Sequence, residues 1–516
     1  MSVSASSSPE PYKVLSAHRS PSSWLPSVTK PRRMLVAALA VGYATQALLY
    51  QPGMWGVSFP LVVLVVLGAL LWMGGREGWE RARPNAWLIV PLVVVSGFVA
   101  VRASDWLTGV NVLTSAVLMM LLTHFWAAGR VARLGLMGYP RVVLNASVQP
   151  LRYPQVLLRD GVNLQGVRQH AVGLKALARG LLLAVPVLFV FGVLLESADV
   201  AFSTAVERLL SSEVLTEVVA VATARGIATV FSACVAAGIL GHALRRRSLD
   251  ELGEQEEAPV APRLGLIEAL TLVFTVDALF LVFAAFQVMY LFIGDATSPA
   301  PGYTYAQYAR QGFSELMLVS TLTLGLVMAL ARWTRRESRS AELLFRGATS
   351  VMVALTLVIV ASAVKRMGLY EDAFGYTQLR LYTHVFMFAL GGVLGWRAVT
   401  LWWRPERFAV GAFVTALGAV LALNVINPDA FIVRHNLARV SGEELPDLDY
   451  LMGLSADAAP EVAALLSERE PEWTERFFRR YVLHPGAGPE SAWREWNLAR
   501  RQATFLADRV AKPAAK

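Results

Sequence analysis

A single cysteine stands in 516 residues, and charged residues make up only 16% of the chain against 55% hydrophobic ones. Soluble domains usually carry about a quarter charged residues. The lone Cys234 excludes a disulfide framework and a cysteine metal centre, and its place inside an apolar run assigns it to packing. Histidine is scarce as well. The seven present include no H-E-x-x-H or other close ligand pair, so no metal is expected. No Walker loop and no serine nucleophile elbow occurs, and no cofactor is expected. No internal repeat is visible to suggest an inverted-repeat transporter.

What the chain does have, from about Met34 to Asn427, is an alternation of long apolar runs with short connectors rich in arginine. Crossing a hydrocarbon core of roughly 30 Å takes about twenty apolar residues in a helix. Eleven such runs are read, near 34–51, 57–73, 86–101, 106–127, 179–199, 222–243, 267–291, 313–331, 347–364, 380–402 and 408–427. The expected fold is therefore an all-α, polytopic transmembrane bundle of about eleven spans. The net charge of +9 gathers beside the spans, which fits cytoplasmic loop bias better than nucleic-acid binding. Arg76, Arg81, Arg83, Arg245, Arg246, Arg247, Arg332, Arg335 and Arg336 mark one set of connectors as the inner face. On that basis the N-terminus is expected inside and the C-terminus outside the membrane.

Five segments follow. Residues 1–33 read as a disordered cytoplasmic tail, 34–127 as spans one to four, and 128–176 as a basic cytoplasmic connector with amphipathic helices. Residues 177–427 hold spans five to eleven. Residues 428–516 read as a helical extracytoplasmic tail, with Trp473, Phe477, Trp493 and Trp496 as apolar anchors. The expected partners are the lipid bilayer and a protein docked on 428–516 or 128–176, with no nucleic acid.

Ionisable groups inside spans are costly and face a bundle interior or a wet cavity. Asp277, in VFTVDALFL, is the clearest, as a carboxyl that either holds or exchanges a proton or ion; the alternative is a protonated acid bonded to a neighbouring hydroxyl. A second set collects at the outer span ends and connectors: Glu196, Asp199, Arg225, Arg310, Glu315, Arg366, Glu371, Asp372, Tyr376, Arg380, His384, Asn424, Asn427, Asp429, Arg434 and His435. Arg380 and His384 lie four apart, on one helix face. These residues share a depth, which suggests a polar vestibule, or else ion pairs that merely anchor helix ends.

The strings LLYQPGMWGVSFPL, YTYAQYARQGFSEL, KRMGLYEDAFGYTQLRLYTHVFM, NVINPDAFIVRHNLAR, LDYLMGLSADAAPEV and WREWNLAR together resemble an uncharacterised bacterial membrane family, domain of unknown function 4173, and its relative 4153. The likeness runs from about residue 45 to 500. It implies a bacterial inner-membrane protein with no agreed activity and brings no catalytic residue. Three functions remain open: a small-solute or ion-coupled transporter using Asp277 and the outer polar layer, a non-catalytic scaffold or signalling partner, and an envelope enzyme. In the last, Glu196, Asp199, Glu371, Asp372, His384 or His435 would supply general acid and base.

Overall fold

The computed structural model describes residues 31–50, 55–161, 213–245, 263–289, 313–439, 447–482 and 493–511, with isolated helical positions at 180, 184 and 186. Among them the regular structure is helical throughout, apart from an isolated bridge between Leu264 and Thr334. Of the expected tail 1–33, residues 1–30 lie outside the described residues and Pro31, Arg32 and Arg33 begin the first helix; the expected fifth span 179–199 lies outside them except at the three isolated positions.

Among the described residues eight stretches are long and apolar enough to cross a bilayer, and the chain is a multi-pass membrane protein. One of them, Ser58–Phe98, is 41 residues long and folds back on itself, since its two ends contact the same C-terminal segment. Its legs are α2 (Ser58–Ala82), kinked at Gly75 with φ 56°, and α3 (Ile89–Phe98), entered through a 3-10 turn over Arg83–Leu88. Before them comes α1 (Pro31–Leu49), which is not among the eight although it was read as a span. After them come α4 (Asp105–Ala127), α5 (Gly138–Val148), α6 (Tyr153–Gly161) and α7 (Glu213–Leu244). Four long helices follow: α8 (Leu266–Gln287), α9 (Phe313–Trp333), α10 (Arg339–Phe374) and α11 (Gln378–Trp402). Then comes α12 (Phe408–Ile426).

The flanking residues explain where several helices begin and end. Ser338 caps α10 by accepting the Ala341 N–H, and Thr377 does the same for Arg380 in α11. Asn427, left-handed at φ 54°, closes α12, and Pro428 opens α13 (Pro428–Arg439). The chain continues through α14 (Leu448–Met452), α15 (Ala459–Leu466), α16 (Pro471–Val482) and α17 (Leu498–Ala511).

Packing divides these elements into three bodies of apolar contact. In the first, α1, α2, α3, α4, α5, α6 and α7 surround Leu70, Leu92, Leu121, Phe125 and Leu240. In the second, α8, α9, α10 and α11 surround Val273, Val327, Phe345, Met352 and Leu394. Helix α12 touches both, packing on α11 while its Leu417 enters the first core. The third body is a cap made of α13 to α17, whose core holds Ile432, Val433, Leu451, Val462, Leu466, Phe477 and Phe478. Trp473 and Phe477, expected as apolar anchors of the tail, are buried in that core. Large apolar side chains such as Leu279, Leu281, Phe286, Leu322 and Phe388 lie exposed along the spans. Such a surface would be a liability in water and is the solvated state in lipid.

Candidate functional site

Where α3 turns into α4, the loop around Arg102 meets the cap, and Asp457 organises the meeting. Its Oδ2 accepts the Ala103 N–H at 2.7 Å, the Ser104 N–H at 2.9 Å and the Ser455 hydroxyl at 3.3 Å. Its Oδ1 lies 3.8 Å from Arg102 Nη1. Arg102 also donates from Nε to the Asn424 carbonyl at 2.8 Å. The Asn424 side chain in turn exchanges two hydrogen bonds with Asn111 in α4, at 2.7 and 2.8 Å. Asn497 braces the same loop, donating to the carbonyls of Val99 and Arg102 at 3.1 and 2.8 Å.

A second carboxylate faces the other helix group. Asp429 Oδ1 accepts the Gln378 side-chain amide of α11 at 2.6 Å, and its Oδ2 accepts the Ser455 N–H at 3.0 Å. Ser455 thus stands between two aspartates, one holding each helix group. Tyr450 takes the Gln378 N–H at 2.8 Å, while Asn436 pairs with both backbone polar groups of Tyr376 at 2.6 and 2.9 Å. Four of the strings that carry the family resemblance, those holding Gln378, Asp429, Asp457 and Asn497, lie far apart along the chain and meet at this joint.

Burial dominates the electrostatics of the joint. It pushes the Asp457 carboxyl above its ordinary range, against the pull of the Ala103 and Ser104 N–H groups and of Arg102. Burial lowers Arg102 in the same way, with Asp457 opposing, and it raises the Tyr450 phenol. Two desolvated partners 3.8 Å apart gain little from each other once the cost of removing them from water is counted. The joint is held chiefly by the hydrogen bonds that each charge makes to backbone.

Apart from Asn427, the remaining outer candidates do not join this cluster. Glu371, fully buried, lies 2.9 Å from His384 Nδ1, while its Oε1 has no hydrogen-bond partner among the described residues. A carboxylate and an imidazole in that geometry can pass a proton between them. Arg380 turns the other way, placing its guanidinium 4.2 Å over the Tyr370 ring and donating to the Phe374 carbonyl at 3.2 Å. Deeper in the same helix group, Gln287 Oε1 accepts from Ser362 at 2.6 Å and from Arg366 at 3.1 Å. Arg434 pairs with Glu461, and His435 stacks on Phe431 at 3.7 Å. Asn427 donates to the Asp457 carbonyl at 3.2 Å. Arg225, Glu315 and Asp372 are exposed, and Glu196, Asp199 and Arg310 lie outside the described residues. The expected single polar layer is therefore several separate sets, and the largest serves to dock the cap.

Asp277 stands apart from all of them. It is 7% exposed in the apolar stripe Val273, Asp277, Phe280 and Ala284 that α8 turns inward. Its Oδ1 has no hydrogen bond among the described residues. Sequence reasoning missed Arg102, Asn111, Gln378, Tyr450, Ser455, Asp457 and Asn497. For Ser455 and Asp457 a signal existed in LSADAAP, where a serine two residues before an acid and five before proline marks a capped helix start. It also missed the buried pair His124 and His242, 3.1 Å apart at the opposite end of the bundle, because they come from helices far apart in the chain. No group of three potential metal ligands occurs among the described residues.

No curated protein and no solved structure matches the chain. One family model does, over residues 89–465, which is well over half of the sequence. It is that of the relative named beside 4173 in the sequence resemblance, so the likeness holds at the coarser level. This membrane protein belongs to the family described as Domain of unknown function (DUF4153).

Proposed function

We propose that the protein is a small-solute or ion-coupled transporter of the bacterial inner membrane, with Asp277 as the coupling group. The observation that carries this reading is the burial of an acid with an unbonded carboxyl oxygen in the middle of a bilayer-length helix. A span does not keep such a group for packing, because a neutral residue would be cheaper there. Its packing partner α10 carries Thr349 and Thr356 on its buried side, polar groups within an otherwise apolar contact with α8, which supports a seam for the carboxyl.

Flux in proteoliposomes, followed with a pH-sensitive dye across a panel of small solutes, tests the assignment. Asp277→Asn should abolish coupled flux, and Asp277→Glu should keep part of it. Wild-type flux in the Asn variant would remove the role. In orientation, Arg76, Arg81, Arg83, Arg332, Arg335 and Arg336 gather at the end opposite the cap, which supports a cytoplasmic location for that end and an extracytoplasmic cap.

The scaffold reading has its own support in a cleft of about 460 Å³ between α15, α16 and α17, bordered by Ser467, Glu472, Thr474, Glu475 and Arg509. A stoichiometric partner lost when Glu472 and Glu475 are changed to Lys would favour it.

A further inference from the structure

Helix α17 has two faces. Ala499, Ala503 and Ala507 are buried against the cap core. On its other side Leu498, Arg501 and Phe505 recur at helical spacing and point away from the protein, with Phe505 57% exposed, and exposed Arg509 continues the row at the edge of the cleft beside α16. Arg509 lays its guanidinium 4.6 Å from the centre of that ring. Gln502, Thr504 and Asp508 are exposed beside this row, and the row itself joins large apolar side chains to arginine, a pairing suited to the edge of a bilayer.

Backbone hydrogen bonds fix its depth. Val57 and Ser58 donate to the carbonyls of Trp496 and Arg494 at 2.9 and 3.2 Å, and Leu498 N–H donates to the Ala100 carbonyl at 2.8 Å. Ser58 begins a stretch of bilayer-crossing length and Ala100 follows its end. The start of α17 is thereby held at the level where hydrocarbon gives way to headgroups. Trp493 and Trp496 are exposed at that level, and the exposed Trp55 stacks on Phe59 at 5.8 Å. Amphipathic rings collect at this depth, and arginine lies its stem along apolar surface while the guanidinium reaches phosphate oxygens.

We propose that the outward stripe of α17 is a binding surface for anionic phospholipid headgroups, which together with Trp493 and Trp496 seats the cap on the bilayer. Charge agrees: α17 carries Arg500, Arg501 and Arg509 against the single acid Asp508. The surface is continuous with the lipid-facing spans through the Val57 and Ser58 hydrogen bonds. The proposal stands independently of transport, since it uses no residue of the Asp277 seam.

The lone native cysteine makes the test direct. In full-length protein with Cys234→Ala, a nitroxide is attached at Phe505→Cys or, as the water-facing control, at Arg479→Cys on α16, and the protein is placed in nanodiscs with or without phosphatidylglycerol. The 505 label should collide more with oxygen and less with a nickel chelate than the 479 label. In the unlabelled protein, Arg501→Gln with Arg509→Gln should weaken phosphatidylglycerol retention in native mass spectrometry roughly tenfold. Thermal unfolding should be unchanged, because neither arginine enters the cap core. Nickel access at 505 equal to that at 479 overturns the proposal. So does shielding from both probes, which would mean a protein seated there, and so does undiminished lipid retention in the double variant.

Discussion

Asp457 lies 354 positions from the Ala103 N–H it accepts, and no local pattern in the sequence announces that pairing. Replacing it with Ala leaves the Ala103 and Ser104 N–H groups without their acceptor, which should cost about 2–3 kcal/mol. Asp457→Asn keeps an amide oxygen for both donors and removes the buried charge, so cap docking should survive at neutral pH. The pH dependence has a definite sign. In the docked state burial holds this carboxyl above its ordinary value, whereas release of the cap returns it to water. The docked state therefore binds a proton more tightly. Docking should strengthen as pH falls toward the ordinary carboxylate value and weaken as pH rises through the raised one. Limited proteolysis of the cap across the mildly acidic range checks this, and the slope should flatten in the Asn variant. A slope of opposite sign would mean that the Arg102 interaction outweighs desolvation.

At the scale of elements, hydropathy made the long helices legible, because the choice between lipid and water is set residue by residue along one helix. How helices approach one another is not coded that way. Gly42 in α1 shows the difference: an added Cβ would stand 2.5 Å from the Ala233 backbone nitrogen of α7. Close helix contact in membranes depends on such small residues. Gly42→Ala should force α1 from α7 and lower stability by about 1–3 kcal/mol. Gly68→Ala, where a Cβ meets nothing within 4 Å, should be neutral or slightly stabilising. Unfolding in mild detergent compares the two. The kink at Gly75 and the 3-10 turn after α2 lie in or beside the charged stretch Arg76, Glu77, Glu80, Arg81 and Arg83, which interrupts the apolar pattern even though helix runs on to Ala82. The sequence alone counted their two legs as separate spans, and their shared contact with the cap accounts for that return.

Over the whole molecule, the two helix groups share α12, the stack of Trp106 on Tyr382 at 4.1 Å, and the cap. The residues of the candidate site were readable by type and depth, yet their partition was not. Glu371 and His384 belong to one helix group, Asn424 reaches Asn111 of the other, and Asp429 and Asp457 divide the two groups between them. Lateral neighbours across hundreds of residues leave no trace in spacing. This division makes the cap a strap. If so, loosening it at both aspartates should free the loops it holds without melting the spans. In Asp429→Ala with Asp457→Ala, hydrogen exchange should rise at residues 99–104 and 376–380, while the buried middle of α10 around Met352 and Val353 keeps its protection. Equal loss of protection in α10 would make the cap part of one cooperative fold and remove the basis for treating the two helix groups as separable. Retained protection would leave them free to shift against each other about α12, the kind of motion that alternating access requires.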